Sequence, residues 1–502
     1  MELEKQVQEL RDYQKKLHAY THVSSLLMYD ASTSMPSGGS DATGDTMELI
    51  AGEIHSMSVD PRVGQLLSDL YERRDALDFQ TRREVEELRE QREKQEKVPK
   101  EAVMAAEKAA NAGRHYWQLA KARNDFSVFK PYLANMVEIR RQYANYIKPG
   151  ADVYDTLLNE FEKGCTQAML DPFFVLMGEK LTPVLRAIME KGVQPERGFL
   201  NSTFPIPQQK ALSGYLMDVM GIDKTHCVLR ESEHPFTVEF SRDDVRITTK
   251  YFEDDLLSNL FSVVHESGHA MYELSVAPEL LHSCMGHGAT TAIHESQSRL
   301  WENYIARSRA FCDLIFPEVC RLFPEQMAAV TPEMLYRAVN VARPSLIRTD
   351  ADELTYPFHV LVRYQLEKAL FRNELTVDEL PAAWNELYKK YLGIDVPDDA
   401  RGVLQDMHWA DGAFGYFPSY ALGTAYSAQF MAALTRELDV NACIARGDLS
   451  PVKQWLTEKI YRHGMLLTAD ELLRGATGES FAPHYYVDYL TEKYTGLYGV
   501  NV

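Results

Sequence analysis

The chain has 502 residues, of which 45% are apolar and 25% are charged, the balance of an ordinary globular protein. A formal net charge of −20 argues against a nucleic-acid partner, because phosphate-binding surfaces need an excess of lysine and arginine. No apolar run approaches the length of a membrane span, so no membrane association is expected.

The opening residues and the cysteines indicate a cytoplasmic location. Residues 2–5 are mostly charged, and no apolar segment typical of a signal peptide follows them. The six cysteines are scattered without a C-x-x-C pair, which indicates neither a disulfide framework nor a cysteine zinc site. We therefore expect the protein in a reducing cytoplasm.

Helical spacing of apolar residues dominates the N-terminal part of the chain. It runs through residues 1–28 and breaks at the turn-forming segment Met35–Gly39. A charged helix with a solvated face is predicted over residues 79–98, ending near Pro99, and helical spacing resumes over residues 100–148.

The segment 234–251 changes character. Its β-branched residues alternate on both sides of the pair Asp243-Asp244, which predicts a β-hairpin with its turn at that pair. Helical spacing then returns to the C-terminus, with breaks at Pro332, Pro344, Pro381, Pro397 and Pro418. We predict a mainly α fold: a single large helical domain over residues 1–502 with a small β-hairpin element, in which residues 1–130 form a helical lid over a cleft.

Residues His265–His269 read His-Glu-Ser-Gly-His, an H-E-x-x-H motif within the apolar run Leu260–Tyr272. Positions i and i+4 share one face of a helix, so His265 and His269 can offer two neutral imidazoles to one metal ion. Glu266 stands beside them, where it can accept a proton from a metal-bound water. The alternative is a core helix that carries two hydrogen-bonded histidines.

A site of this kind needs a third protein ligand and keeps its fourth position for water. Glu295 follows His269 on a helix-compatible segment, after a turn and a loop that contains the breaker Gly286–Gly288. Two antiparallel helices would bring it alongside the histidines. We therefore predict Glu295 as the third ligand, with His294 and Glu302 as competitors for the role.

Five short motifs, in a fixed order along the chain, carry a resemblance to a known family. They are D-x-R-x-T at Asp244–Thr248, H-E-x-x-H at His265–His269, H-E-S-Q at His294–Gln297, I-R-x-x-A-D-E at Ile347–Glu353 and G-x-x-Q-D-x-H-W at Gly402–Trp409. In these motifs the chain resembles the carboxypeptidase Taq family of metal-dependent carboxypeptidases, over nearly its whole length. It departs from the family near the start, where Met28-Tyr29-Asp30 occupies the place of the usual Trp-Asp.

The resemblance implies a nearly all-α fold with a deep active-site groove, similar to neurolysin and the angiotensin-converting enzymes. It also implies a homodimer that removes single residues from the free C-terminus of peptide substrates. The expected cofactor is one divalent metal ion, zinc, with cobalt as the alternative. Two rival interpretations are an oligoendopeptidase or dipeptidyl carboxypeptidase of the same architecture, and a catalytically silent binding protein, against which the intact Glu266 argues.

A carboxypeptidase must bind the terminal carboxylate of its substrate, and the planar fork of arginine does so bidentately. Arg348 is the candidate for this role, and the alternative is an arginine in an ordinary salt-bridge network. The acids that we expect to orient it are Asp350, Asp352 and Glu353. Arg246, on the predicted hairpin, either binds substrate or locks the hairpin through Asp244.

The glycine-rich stretch Gly412–Tyr420 follows His408. In neurolysin-like enzymes, a loop histidine and a tyrosine after such a turn donate to the tetrahedral oxyanion. The resemblance therefore implies this role for His408 and Tyr420, with Tyr416 as the substitute. The alternative is that these aromatic residues only fill the core.

Overall fold

The computed structural model describes residues 2–502, in which helices dominate, as predicted. The twenty α-helices are α1 Glu2–Thr33, α2 Ser40–Ser58, α3 Pro61–Glu72, α4 Phe79–Lys97, α5 Lys100–Arg123, α6 Phe126–Ile147, α7 Val153–Phe161, α8 Gln167–Lys191, α9 Ile206–Val219, α10 Leu256–Leu274, α11 Thr291–Arg299, α12 Arg309–Leu322, α13 Pro332–Val339, α14 Tyr356–Phe371, α15 Leu380–Leu392, α16 Pro418–Glu437, α17 Val440–Ala445, α18 Ser450–Lys459, α19 Ala469–Thr477 and α20 His484–Tyr498. The three strands are β1 Cys227–Glu231, β2 Thr237–Ser241 and β3 Asp244–Thr249. None of the helices between residues 2 and 502 combines the length and apolar character that crossing a membrane requires.

The N-terminal helices follow the predicted pattern with one difference. The charged helix is α4, which begins after Asp78, whose side chain accepts a hydrogen bond from the Thr81 backbone N–H at 2.9 Å. The helical stretch predicted over residues 100–148 is divided into α5 and α6. Asn124 ends α5 in a left-handed conformation (φ 51°), and the Asp125 side chain caps α6.

Helices α1, α3 and α4 surround a small apolar cluster of their own. It is built from Leu10, Leu66, Leu67, Leu70, Val85 and Leu88 and is separate from the main core. The division of the chain into one domain with a lid over residues 1–130 stays a prediction.

The predicted hairpin is part of a three-stranded sheet with the strand order β1-β3-β2. β2 and β3 pair antiparallel, with Thr237 opposite Ile247, and the turn falls at Arg242 and Asp243 because Asp244 already belongs to β3. β1 pairs parallel with β3 and was not predicted. Only Cys227 of β1 is fully buried, so the strand lacks the alternation that would reveal it.

Three of the predicted proline breaks mark helix starts. Pro332, Pro381 and Pro418 lie in the first turns of α13, α15 and α16. The missing N–H of proline removes no helical hydrogen bond at such a position. Pro344 and Pro397 lie between helices.

Helices α10, α11 and α16 pack unusually closely in the main core, and glycine permits this. A Cβ added to Gly268 of α10 would lie 2.8 Å from the Cα of Ser298 in α11. A Cβ added to Gly423 of α16 would lie 2.8 Å from the Cβ of Glu295. Both distances are well below van der Waals contact, so any larger residue would force the helices apart.

A buried acid holds the start of α11. Glu162, which follows α7, accepts hydrogen bonds from the Thr290 hydroxyl (2.6 Å) and from the Ala292 backbone N–H (3.0 Å). One backbone N–H of the helix start is satisfied in this way, and the capping residue Thr290 is held in place. Burial raises the pKa of Glu162 to about 7.

Replacing Glu162 with Gln should flatten the dependence of the free energy of unfolding on pH between about 5 and 7. Because the pKa of Glu162 is higher in the folded state, at about 7, than in the unfolded chain, its contribution is full at low pH and falls as the pH rises. The free energy of unfolding that Glu162 contributes falls by up to roughly 1.4 kcal/mol per pH unit. Urea unfolding followed by circular dichroism at a series of pH values measures it. Glu179→Gln, at an exposed position on α8, is the control and should leave the slope unchanged; an equal slope in Glu162→Gln would contradict the assignment.

Candidate metal and catalytic site

His265 and His269 lie one turn apart on α10, with ring centres 4.9 Å apart. The Nε2 atom of each lies 3.6 Å from Glu295 Oε2 on α11. The donor atoms of the three residues all lie within 4.8 Å of one another. A distance of 3.6 Å is too long for a hydrogen bond. It is close to the spacing of about 3.4 Å that donors take around a tetrahedral zinc ion.

Glu302 and His294, the two competitors for the third-ligand role, contact the histidines on the ring nitrogen that faces away from Glu295. Glu302 Oε2 is 2.9 Å from His265 Nδ1, and His294 Nδ1 is 2.5 Å from His269 Nδ1. His294 in turn contacts Glu273 through Nε2 at 2.7 Å. Such partners on the second ring nitrogen fix the orientation of a metal-binding histidine. They leave each Nε2 directed toward Glu295.

Arg299, which was not predicted, joins the two glutamates. Its Nε donates to Glu295 Oε1 at 2.7 Å, and its Nη1 donates to Glu302 Oε2 at 2.9 Å. A π-helical segment, Leu300–Ala306, continues α11 and carries Glu302. Arg307, at the end of that segment, donates to Glu302 Oε1 at 3.0 Å. The other oxygen of Glu295, Oε2, faces both histidines and accepts one hydrogen bond from the Ser298 hydroxyl at 3.2 Å.

The protonation states of Glu295 and His269 suit a cation. Burial works against ionisation of Glu295, but the charges of Arg299 and His265 outweigh burial and hold its pKa well below the ordinary value. Burial also lowers the pKa of His269 to about 3, which keeps its imidazole neutral at pH 7. An ionised carboxylate and a neutral imidazole are the forms that bind metal ions.

Glu266 is buried beside the histidines. Its Oε2 accepts a hydrogen bond of 2.6 Å from the Thr237 hydroxyl, which β2 contributes. Burial raises the pKa of Glu266, although His265 and Thr237 oppose the shift. A raised pKa brings a carboxylate closer to the range of an effective general base. Nothing in the sequence pattern points to Thr237.

Arg348 is buried in a charged network of its own. Its Nε and Nη2 each donate to Asp406 at 3.0 Å, and Nη1 donates to the Tyr356 hydroxyl at 3.0 Å. Arg363, fully buried on α14, also donates to Asp406, with Nε 3.0 Å from Oδ2. These arginines hold the pKa of Asp406 well below its usual value, although burial opposes the shift.

Two of the three acids expected to orient Arg348 have other partners, and the third, Asp350, is exposed. Asp352 accepts hydrogen bonds from the backbone N–H groups of Arg343, Leu354 and Thr355. Glu353 pairs with Lys493 at 2.5 Å. The orienting acid is Asp406, from a motif 58 positions further along the chain. That expectation was therefore wrong, since the nearest acids in sequence point elsewhere once the helices pack.

Arg246 is held on the sheet. It donates to both oxygens of Asp244, at 3.0 and 2.8 Å, and its guanidinium lies 4.5 Å from the Phe240 ring centre and 5.1 Å from that of Tyr29. These contacts hold Arg246 against the sheet and α1, and its role stays a prediction.

His408, Tyr416 and Tyr420 lie together next to Arg348. His408 stacks on Tyr416 with ring centres 5.4 Å apart, and the Tyr416 and Tyr420 hydroxyls are 3.0 Å apart. The Arg348 guanidinium lies 5.6 Å from the Tyr420 ring centre. Burial lowers the pKa of His408 and raises that of Tyr420, so at pH 7 the histidine is neutral and the tyrosine keeps its proton.

A second unpredicted acid supports the His408 loop. Glu367, fully buried on α14, accepts hydrogen bonds from Trp409 Nε1 at 2.7 Å and from the Gly415 backbone N–H at 2.8 Å. The Tyr154 hydroxyl adds a third at 2.9 Å. These bonds tie both ends of the loop to one helix.

Two histidines one turn apart, a carboxylate from the next helix and a buried acid beside them, on a mainly α scaffold, define a metal-dependent peptidase. The family model of carboxypeptidase Taq (M32) metallopeptidases matches residues 9–494. The chain belongs to that family and is a peptide hydrolase of the metallocarboxypeptidase class. The predicted family and the predicted mainly helical fold class are confirmed.

Individual relatives agree over their full length. Carboxypeptidase 1 of Bacillus subtilis is 38% identical over 99% of this chain and 100% of its own length. Thermostable carboxypeptidase 1 of Thermus thermophilus is 33% identical over 98% and 99% of the two chains. The crystal structure of the M32 carboxypeptidase from Deinococcus radiodurans superposes with a TM-score of 0.96, at 37% identity, over 99% of this chain and 100% of that one.

A metallopeptidase family implies a divalent metal ion, and the residues present fit one. His265, His269 and Glu295 supply two imidazole nitrogens and one carboxylate oxygen at converging distances. This donor set is the thermolysin-type set of zinc hydrolases.

Replacing Glu295 with Ala should remove the metal ion or weaken its binding strongly, because two histidines leave an incomplete site. Glu302→Gln is the matched comparison. This variant changes the residue that contacts His265 Nδ1, and it should lower the metal affinity by only roughly 10–100-fold. Metal content after dialysis against a graded series of chelator concentrations measures both. If Glu295→Ala retained the metal ion as tightly as the wild type does, the third ligand would be Glu302 or His294.

Proposed function

We propose that this carboxypeptidase releases single amino acids from the free C-terminus of peptides, with one zinc ion held by His265, His269 and Glu295. Cobalt is the alternative ion, since imidazole and carboxylate ligands accept both. A bound divalent ion lowers the pKa of water and polarises the scissile carbonyl. We further propose a homodimer in the cytoplasm, which agrees with the resemblance and with six unpaired cysteines.

The observation that carries exopeptidase specificity is an unbalanced positive charge. Arg348 and Arg363 share a single hydrogen-bonded carboxylate, Asp406. Burial raises the pKa of Glu367, the other acid near Arg363, to about 7, so the buried network holds an excess of positive charge. A buried charge without a partner is costly, and an incoming carboxylate would neutralise it. Arg246 is matched one to one by Asp244, which favours Arg348 as the residue that recognises the substrate terminus.

Tyr356 joins this network to the metal-binding residues. Its hydroxyl accepts from Arg348, and its ring lies 5.2 Å from the guanidinium of Arg299, which holds Glu295. The recognised carboxylate would therefore lie close to the scissile bond. This proximity supports cleavage near the peptide C-terminus over internal cleavage.

The remaining residues act on protons and developing charge. Glu266 accepts a proton from the attacking water at its carboxylate and returns it to the leaving amine. His408 is neutral and Tyr420 is protonated, so both can donate to the oxyanion, with Tyr416 holding the Tyr420 hydroxyl. Arg246 keeps the hairpin, and with it Thr237, against Glu266.

The experiment that separates this function from its rivals uses peptides that differ only at the C-terminus. The metal-loaded protein should shorten a free-acid peptide one residue at a time, observed as a ladder by mass spectrometry, and should spare the same peptide as a C-terminal amide. Equal cleavage of both would indicate an oligoendopeptidase. A ladder with steps of two residues would indicate a dipeptidyl carboxypeptidase, and intact peptides with bound metal would indicate a silent scaffold.

Replacing Glu266 with Gln should lower kcat by at least roughly 10²–10⁴-fold, the contribution of a general base. The metal content should stay at the wild-type level, since Glu266 is not among the converging donors. Steady-state kinetics with parallel metal analysis tests this. Thr237→Val, which only removes the hydrogen bond to Glu266, should have a smaller effect in the same direction. Loss of metal in Glu266→Gln, or activity near that of the wild type, would contradict its role.

Replacing Arg348 with Ala should reduce kcat/KM for free-acid peptides by roughly ten- to a hundredfold, because a charge-assisted pair contributes about 1.5–3 kcal/mol. Arg348→Lys should recover only part, since it keeps the charge without the planar fork. Slow cleavage of amides and the metal content should barely change.

Arg246→Ala is the matched control for Arg348→Ala, because it removes an arginine whose charge is already balanced. It should affect acids and amides equally. An equal loss on acids and amides in Arg348→Ala would instead make Arg348 structural and Arg246 the leading candidate for the carboxylate.

A further inference from the structure

A cluster of histidines lies where the first helix meets the loop that follows α10, apart from the catalytic residues. His18 and His22 occupy positions i and i+4 of α1, the same spacing as the catalytic pair. His282 lies in the loop, with its ring centre 4.8 Å from that of His18 and an interplanar angle of 63°. The catalytic pair His265 and His269 has nearly the same ring geometry, at 4.9 Å and 79°.

The cluster encloses a cavity of about 20 Å³. His18, His282 and His287 line it together with the side chains of Ser241, Ser283 and Arg242. A cavity of this size accepts one water molecule or one ion. The Arg242 guanidinium donates to the carbonyl of Val276, another residue of the cavity wall, at 2.5 Å.

His282 bears one mark of an unsatisfied ligand. Its Nδ1 atom is buried and has no hydrogen-bond partner. A buried ring nitrogen without a partner is uncommon and calls for an unseen ligand.

We propose that His18, His282 and His287 form a second metal site for a divalent transition metal such as zinc, nickel or copper. His22 is the alternative ligand. Imidazole nitrogens are the donors that these ions select over magnesium or calcium. Burial and the neighbouring histidines lower the pKa of His18 to about 4, so it offers a neutral ring at pH 7. The ion would join α1 to the loop that ends at Gly288, whose N–H donates to Glu273, the partner of His294.

The second site is expected to be weaker than the catalytic one. Among residues 2–502, only His265, His269 and Glu295 have donor atoms that already lie within 4.8 Å of one another. The rings around the small cavity must rotate inward to reach one ion, and no carboxylate lines it. The wild-type protein should therefore bind one ion tightly and a second one at higher concentration.

Equilibrium dialysis with zinc, read out by elemental analysis, tests the stoichiometry. Wild-type protein should reach two ions per chain. His18→Gln and His282→Asn should each keep the first ion and weaken the second by more than the roughly 10–100-fold that an outer partner costs. His234→Gln, at an exposed histidine elsewhere, should bind both ions as the wild type does.

Copper provides an independent spectroscopic test. In the double variant His265→Ala, His269→Ala, one Cu²⁺ should bind and show nitrogen hyperfine coupling from imidazole in its electron paramagnetic resonance spectrum. Adding His18→Gln to that variant should remove the signal. Saturation of the wild type at one ion, or a second ion whose affinity is unchanged in both His18→Gln and His282→Asn, would overturn the proposal and leave a water-filled cavity. Neither experiment depends on peptide hydrolysis, so the outcome is independent of the function proposed above.

Discussion

The close approach of α10 and α11 is the constraint on which the site depends. Gly268 lets the two backbones meet, and Gly423 makes room for Glu295 from the other side. The carboxylate then lies 3.6 Å from both Nε2 atoms. Ligand distances at a metal site tolerate only about 0.2 Å of variation, so a side chain at either glycine would destroy the arrangement. Gly268 is the second of the two unspecified positions in the H-E-x-x-H motif, and in this chain that position carries the steric requirement.

The charges around that contact alternate in sign. Glu295, Arg299, Glu302 and Arg307 follow one another, each hydrogen-bonded to the next. Burying such ions gains little net stability, because desolvation offsets attraction. The benefit is one of position. The chain of bonds directs one oxygen of Glu295 toward the two histidines and fixes the orientation of His265 through its Nδ1 atom. The π-helical segment that carries Glu302 is a local irregularity of the type often found at functional sites.

The balance of charge also distinguishes the two arginines that the sequence suggested as binding partners of the substrate carboxylate. Arg246 and Asp244 form a closed pair on the sheet, whereas Arg348 shares Asp406 with Arg363. Because an unpaired buried cation is costly, this difference favours Arg348 for the recognition role proposed above. The aromatic rings of Tyr356 and Tyr420 lie against Arg348 and limit access of water to it.

The sequence by itself determined the features that depend on local spacing. Helical periodicity, the i, i+4 histidines and the hairpin follow from geometry that every helix or turn repeats, so a short window is enough to recognise them. The ordered motifs identified the family for the same reason. Only the tertiary structure decided which distant groups meet: Asp406 with Arg348, Thr237 with Glu266, Arg299 between two glutamates, and β1 beside β3. The acids closest to Arg348 in sequence do not contact it, because contacts between elements depend on how whole helices pack. Such contacts leave no periodic pattern in the sequence.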